Sequence, residues 1–432
     1  MSGPPLDLAR RWRRINFARL NHILIPAKSS DRDRLRRSLW SKPLRPMFAI
    51  FGALSRDGRA LSLLAIVVGV AGLDVTITQA HLLFATLAGL LLASLVARPA
   101  YPMRGCRLEA RTSARVAVGE PQEIDLVVAN DGPREVRWIQ VEGPFLPWDG
   151  KWASHPTGIA RLLPGQRALV RARATFVERG EHHLDPFEAG AQVPLGLTVG
   201  PRIASRGPRF LVVPKPARVV TTSMPLRAPS VRGTSAPNAA PGQAEIASVR
   251  PYRFGDPLKH LHARTWARTG IPHVRQYTNE HHDRVAVALC TDATTAPEAR
   301  VEAAVSLVAG VAADLALHGV GIDWLVLDDT VLRIEPRQGT GAVDRALDAL
   351  ATLRPATRAI AWDERLAELA PTLSTLVLVT ADGDPRRRRA VDAAAEHGLS
   401  CRWIEVVDET SERSAPELVG ARAIVAGEAI AL

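Results

Sequence analysis

Lysine is almost missing from this chain: five residues stand beside fifty arginines, the remainder of 55 basic side chains. With abundant alanine this reads as a bias of nucleotide composition, not as a functional device. Cysteine is equally sparse. Cys106, Cys290 and Cys401 are odd in number, scattered and without metal-ligand spacing, which excludes a disulfide framework or a zinc module. Cys290 and Cys401 read as small core residues in strands. No G-x-S-x-G, no Walker A glycine loop and no H-E-x-x-H occurs, so no nucleophile or metal base sits in a familiar local frame.

What is present is charge in one place. At 432 residues the chain has room for two or three domains. Its net charge of +11 suggests nucleic-acid binding until it is located. Residues 1–59 hold fourteen Lys/Arg against Asp7, Asp31, Asp33 and Asp57, or 14 − 4 = +10, leaving +1 for the rest. A nucleic-acid surface carries its charge on a folded face. Here it precedes two apolar runs, Ala60–Leu73 and Leu82–Ala97, and acts as a topology signal.

Each run approaches the ~20 residues that span a bilayer as a helix. Asp74, Gln79 and His81 read as a tight turn between them, and Arg98, Arg104 and Arg107 follow the second. Positive flanks on both sides predict a transmembrane hairpin over 60–98 with both ends in the cytoplasm. Within the basic leader, Arg10–Arg19 and Arg32–Arg37 read either as helices on anionic headgroups, anchored by Trp12 and Trp40, or as a solvated segment.

From about 105 to 215 the pattern becomes alternation. Val116, Val118, Ile124, Leu126 and Val128 lie two apart, and Leu169 is read as facing away from Arg171 and Arg173. Turn signals at Gly119–Pro121, Asn130–Gly132 and Pro164–Gly165 complete the reading of an antiparallel β-sandwich. His182 and His183 are adjacent, so on a strand they point to opposite faces and share no metal. Residues 221–243, rich in Pro, Ser, Ala and Gly, read as a flexible linker.

An arginine-rich signature follows. Arg250, Arg253, Arg264, Arg268 and Arg275, with Lys259, crowd into residues 250–277 around Gly255-Asp256-Pro257 and Gly270. Guanidinium forks order carboxylates and carbonyls in ways lysine cannot. Asp256 is expected to pair with Arg253, Arg264 or Arg268, and His260 and His262, two apart, to share a strand face. The stretch resembles the bacterial domain-of-unknown-function 58 family, with R-x-Y-x-x-G-D, A-R-T-G and R-x-x-x-x-E patterns. Arg250, Tyr252, Gly255 and Asp256 match the first, Ala267, Arg268, Thr269 and Gly270 the second, Arg275 and Glu280 the third. Lys259 stands where arginine is usual and Ala263 where tryptophan is usual; Trp266 is a candidate to fill that volume. Val193-Pro-Leu-Gly-Leu197 is similar to the family's D-P-F-G-L segment, with Val193 for the aspartate, and carries no evident chemistry.

From Val285 onward buried strands alternate with helices: strands at 285–290, 321–327, 375–380 and 401–407, a short hairpin partner at 331–334, and helices at about 298–317, 342–353, 362–370 and on to 398. This predicts a doubly wound, mostly parallel sheet, whose ligands collect at the strands' carboxyl ends. Asp292, Thr294, Thr340 and Asp382 fall there, and the arrangement resembles a von Willebrand factor A domain with its metal-ion-dependent adhesion site. Oxygen ligands of this kind suit Mg²⁺. Ala296 replaces the second serine of that site, so the set is degenerate; the same residues also serve as helix caps without any ligand.

The chain is thus expected to be an α+β multidomain membrane protein: a transmembrane helical hairpin, a β-sandwich, and the signature (244–432) leading into an A-like α/β domain. The family resemblance implies a non-catalytic adaptor at the bacterial inner membrane, its soluble domains in the cytoplasm. It would work with a MoxR-type AAA+ ATPase on envelope client proteins and bind no nucleic acid. The alternative is a metal-dependent hydrolase centred on Asp292 and Asp382.

Overall fold

The computed structural model describes residues 50–72, 78–220, 245–278, 285–291, 297–318, 320, 322–327, 330–334, 341–354, 373, 375–381, 385–396, 399–408 and 417–431. They fall into two units, Met1–Val213 and Pro214–Leu432, taken in turn.

The first unit opens with α1, Arg56–Ala71, and α2, Thr78–Ala97, which continues as a 3₁₀ turn over Arg98–Ala100. Ser55 caps α1, its hydroxyl accepting from Gly58 N–H at 3.0 Å. Helix α2 starts before Gln79 and His81, so these lie in its first turn and not in a connecting turn as the sequence suggested; Asp74 is outside the described residues. Thr86 and Ser94 satisfy their hydroxyls locally or across the fold, which lets apolar residues occupy the rest of the helix. The helices touch where Gly69 meets Phe84: a Cβ at Gly69 would stand 3.0 Å from that ring. Leu63, Leu64, Ile66, Val67, Leu82, Leu92 and Val96 are exposed, an apolar surface of the kind that marks a contact with another protein or a membrane. Among the described residues, Thr78–Ala100 is the helix long and apolar enough to cross a membrane.

Eleven strands follow: β1 Cys106–Thr112, β2 Arg115–Ala117, β3 Pro121–Asn130, β4 Val136–Glu142, β5 Gly150–Ser154, β6 Ile159–Leu162, β7 Arg167–Phe176, β8 Gly180–His183, β9 Glu188–Ala191, β10 Ile203–Ala204 and β11 Arg209–Val213. They form sheets ordered β1-β3-β7-β5, β10-β9-β4-β6 and β2-β11-β8. The first two bury one core between them, with Ile124, Leu126 and Val170 from one and Ile139, Leu162 and Ala189 from the other. On β3 every second residue from Gln122 to Asn130 is buried, as period-two alternation requires. On β7 the buried set is Val170, Ala172, Ala174 and Phe176. Leu169 therefore shares the outward face with Arg171 and Arg173, which corrects its assignment from sequence. The pleat decides by parity, and hydrophobicity at one position cannot override it.

In the second unit β12, Val219–Val220, pairs with the last strand. Strand β13, Glu245–Pro251, and β14, His273–Thr278, form an antiparallel ribbon interrupted by α3, Ala263–Thr269. Then come β15 Val285–Cys290, α4 Glu298–Leu317, β16 Ile322–Leu327, β17 Thr330–Arg333, α5 Gly341–Thr352, β18 Thr375–Thr380, α6 Pro385–Glu396, β19 Ser400–Val407, β20 Glu417–Gly420, α7 Ala421–Ala426 and β21 Ile430–Ala431. The six-stranded sheet runs β17-β16-β15-β18-β19-β20, parallel except for β17 at its edge. Every residue of β15 and β18 is buried. Val285, Val287 and Leu289 face a core shared with α4, α5 and α7, while Ala286, Ala288 and Cys290 face one that Val391 of α6 covers. Helices on both faces explain the unbroken apolar strands. Strands β12, β20 and β21 and helix α7 escaped the sequence reading, being too short to show a period. The helix expected at 362–370 and the linker at 221–243 lie outside the described residues.

Candidate functional site

The signature sits on the β13–β14 ribbon. Between the two strands the chain leaves the ladder at Tyr252, whose N–H bonds to Pro272 O, and returns at His273, whose carbonyl accepts from His262 N–H. The excursion begins with a turn. Gly255 has φ 100°, a region that favours glycine, and Asp256 N–H closes onto Arg253 O at 3.0 Å. Asp256 then binds in two directions. Its oxygens accept both Nη atoms of Arg250 at 2.7 Å, and Oδ2 also accepts Arg253 N–H at 2.8 Å. The forked pair is the strongest hydrogen-bonding geometry available to these groups. It holds the Asp256 carboxyl below the usual carboxylate range, first through the Arg250 hydrogen bond and then through the Arg253 amide.

The partner of Asp256 is therefore the Arg250 side chain, not that of Arg253, Arg264 or Arg268. Arg250 is at the end of β13, within reach of the turn that Gly255 folds back. Arg253, Arg264 and Arg268 are exposed instead. His260 and His262 do not share a strand face: His260 ends a 3₁₀ turn over Leu258–His260, and His262 caps α3, its Nδ1 lying 3.3 Å from Thr265 N. Trp266 is on α3 and 45 % exposed, so it does not fill a core volume; Gly270, at φ 69°, ends the helix in left-handed conformation. No residue of α3 is buried, and Phe254, Leu258 and Ile271 are likewise exposed. Arg275 lies on β14, and Glu280 is outside the described residues.

Asp292, Thr294, Thr340 and Asp382 are also outside the described residues. Around their positions the sheet edge is ordered. Strands β15 and β18 pair from Val285–Thr375 to Cys290–Thr380. Thr380 Oγ1 accepts from Trp403 Nε1 at 3.0 Å. Arg300, near the start of α4, reaches Asp408 beyond β19 at 2.5 Å and Ala381 O at 3.4 Å. Sequence reasoning missed this clasp, since its partners lie 108 residues apart. Among the described residues no three His, Cys, Asp or Glu side chains gather as metal ligands. The strand cysteines are placed as read: Cys290 is buried on β15, and burial pushes the half-buried Cys401 thiol on β19 up to about 11.

In the first unit the Val193–Leu197 segment, read as carrying no chemistry, joins the helices to the sandwich. Leu197 O accepts from Ser55 N–H at 3.0 Å, and Val199 N–H donates to Ala53 O at 2.9 Å. Thr198 Oγ1 lies 2.7 Å from Ser94 Oγ and donates to Ser94 O at 2.9 Å, all buried. Arg98 Nε donates to Val199 O at 2.6 Å. Apart from this junction, His182 is half-buried against Phe176 and Phe210, its Nε2 2.7 Å from Asp149 Oδ2 and its Nδ1 on Gly180 O. Burial opposes its protonation, but the hydrogen bonds to Asp149 and Gly180 outweigh that and raise its pKa. His183 points outward, so the two histidines do face opposite ways.

Residues 248–400 match a protein family described as "Protein of unknown function DUF58". A search of the curated proteins finds no match. Among solved structures the chain is similar to the CARDB domain of a Pyrococcus furiosus protein (15% identity, 25% of this chain and 87% of that one, TM-score 0.18). It is also similar to native alpha-2-macroglobulin from Escherichia coli, domain MG7 to the C terminus (16% identity, 28% and 18% covered, TM-score 0.21). A third is a GH20 exo-β-N-acetylglucosaminidase from Vibrio harveyi (8% identity, 73% and 78% covered, TM-score 0.18). At these TM-scores none carries an argument about fold or activity.

Proposed function

With residues 248–400 belonging to the DUF58 family, we propose that the protein is a membrane-anchored, non-catalytic adaptor working with a MoxR-type AAA+ ATPase on envelope client proteins. The observation that carries this reading is the projecting excursion of the signature. Its one carboxylate is consumed by Arg250, while Arg253, Arg264 and Arg268 and the apolar side chains of Phe254, Leu258 and Trp266 face outward. Exposed arginine and aromatic side chains are the residue types enriched in protein-binding hot spots.

The anchor is the helix pair, read here as a two-pass hairpin that leaves the soluble domains in the cytoplasm and raises the local concentration of partners. The second unit is read as a von Willebrand factor A-like domain, supported by its strand order and single antiparallel edge strand. The same reading takes Asp292, Thr294, Thr340 and Asp382 as a hard-oxygen set for Mg²⁺, one ligand short through Ala296, on the strength of their sequence positions. The metal would orient a partner's carboxylate; no reaction step is assigned to it.

The test is copurification from native membranes with mass spectrometry, followed by pull-down of the recovered ATPase with Asp256→Ala and Arg268→Ala. Reduced recovery is the expected result. Full recovery with both variants would remove the signature from the interface. Digestion of the C-terminal portion by protease added to right-side-out spheroplasts would overturn the orientation, and calorimetry with Mg²⁺ tests the metal.

A further inference from the structure

Only two non-glycine residues among those described have positive φ, Trp138 at 53° and Leu195 at 73°. Both are large, apolar and exposed, at 64% and 72%. They are also linked, since Gln192 N–H donates to Trp138 O at 2.8 Å at the base of the hairpin that carries Leu195. The left-handed region is one that large L side chains rarely adopt, and an outlier of this kind is a place to look for function. Leu195 stands between Val193 and Leu197, which are both buried, so the hairpin tip presents Pro194 and Leu195 outward, Leu195 being the larger apolar side chain.

The depth of that tip is fixed by hydrogen bonds. Thr198 holds Ser94, within the last turn of α2, and Leu197 O holds the N-cap of α1. The tip is thus wedged at the first turn of one helix and the last turn of the other. One turn is about 5 Å, so a bilayer crossed by α2 has its headgroup boundary at the level of the tip. Ile50 and Phe51 precede the same junction, 49% and 53% exposed, and the Arg59 guanidinium lies 4.7 Å over the Phe51 ring. Apolar side chains beside arginine stems are the composition of an interfacial lipid contact.

We infer that the hairpin tip Pro194–Leu197, with Leu195 leading and Ile50 and Phe51 beside the helix entry, is a lipid-contact element seated in the acyl–headgroup boundary of a phospholipid bilayer. The inference rests on α2 spanning the membrane, and it adds a third point of contact that fixes the tilt of the sandwich against the bilayer. The charges suit anionic phosphates: Arg56 is exposed at the start of α1, and Arg98 lies at the end of α2.

The test uses the full chain in nanodiscs of phosphatidylcholine and phosphatidylglycerol, with Cys401→Ser to lower background labelling. An environment-sensitive fluorophore is placed at Leu195→Cys, at Leu92→Cys on the exposed face of α2, and at Leu169→Cys on the outer face of β7. The expected result at 195 is blue-shifted emission, quenched more by lipid spin-labelled near the headgroup than by lipid labelled near the chain end. At 92 quenching is also expected, and at 169 none. Water-like emission at 195 with quenching at 92 overturns this inference and leaves the spanning helix standing. Water-like emission at both overturns the spanning helix itself. A blue shift at 195 without lipid quenching means that protein covers the tip, which also overturns the inference.

Discussion

Gly58→Ala probes the junction between helices and sandwich directly. Gly58 lies in the first turn of α1, and a Cβ there would stand 1.9 Å from Leu197 O and 2.9 Å from Leu197 C. Both obstacles are backbone atoms that rotamer changes cannot move. Helix and hairpin must separate by about 1.5 Å to restore ordinary contact at 3.4 Å, and overpacking of this kind costs about 1–3 kcal/mol. The displacement also strains the Ser55 N–Leu197 O bond, a further ~1 kcal/mol, while the gain in helix propensity returns up to ~1 kcal/mol. The balance is a loss of about 2 kcal/mol, or roughly 4–8 °C in Tm for a unit of this size. The assay is thermal unfolding of the full chain in detergent, with Gly89→Ala as control, since a Cβ at Gly89 meets nothing within 4 Å. Gly58→Ala melting at or above the parent would refute the reasoning, because the close approach would then not exist.

Three further outcomes are expected. The raised pKa of His182 means its ion pair with Asp149 stabilises fully below about pH 6.5 and is lost as pH rises through the folded value. The Tm difference between parent and His182→Gln should therefore shrink on going alkaline, and a growing difference would reverse the sign. Asp256 behaves oppositely: its pKa is depressed, so its hold on the turn is present above about pH 4 and fades below it. Amide exchange at Arg253 should be protected at neutral pH and quicken in Asp256→Asn; equal exchange in parent and variant would mean the pair does not order the turn. Leu307 is fully buried on α4, so Leu307→Ala should cost about 2–5 kcal/mol by chemical denaturation. Leu317→Ala, at a residue 85% exposed, should change stability by less than about 0.5 kcal/mol; equal effects would deny the core assignment.

Much of the architecture was legible because it rests on local periodicity. The bounds of α4 and β18 follow from apolar spacing alone, and β15 reads as a buried strand because every position is apolar. The signature could be found from arginine density and its glycines, yet its wiring could not. Choosing Arg250 over three nearby arginines required knowing that the Gly255 turn folds Asp256 back onto the end of β13. Leu169 was misassigned because one hydrophobic residue was weighed without the parity of its strand.

The chain itself determined where the longer helices and strands form and where positive charge gathers, since those properties depend on residues within a few positions of each other. Tertiary structure alone decided that Thr198 meets Ser94 across 104 residues and that Arg300 clasps Asp408 across 108. Single polar side chains such as these carry no periodic signal, and their pairing is set by the packing of the larger elements that bring them within hydrogen-bond reach.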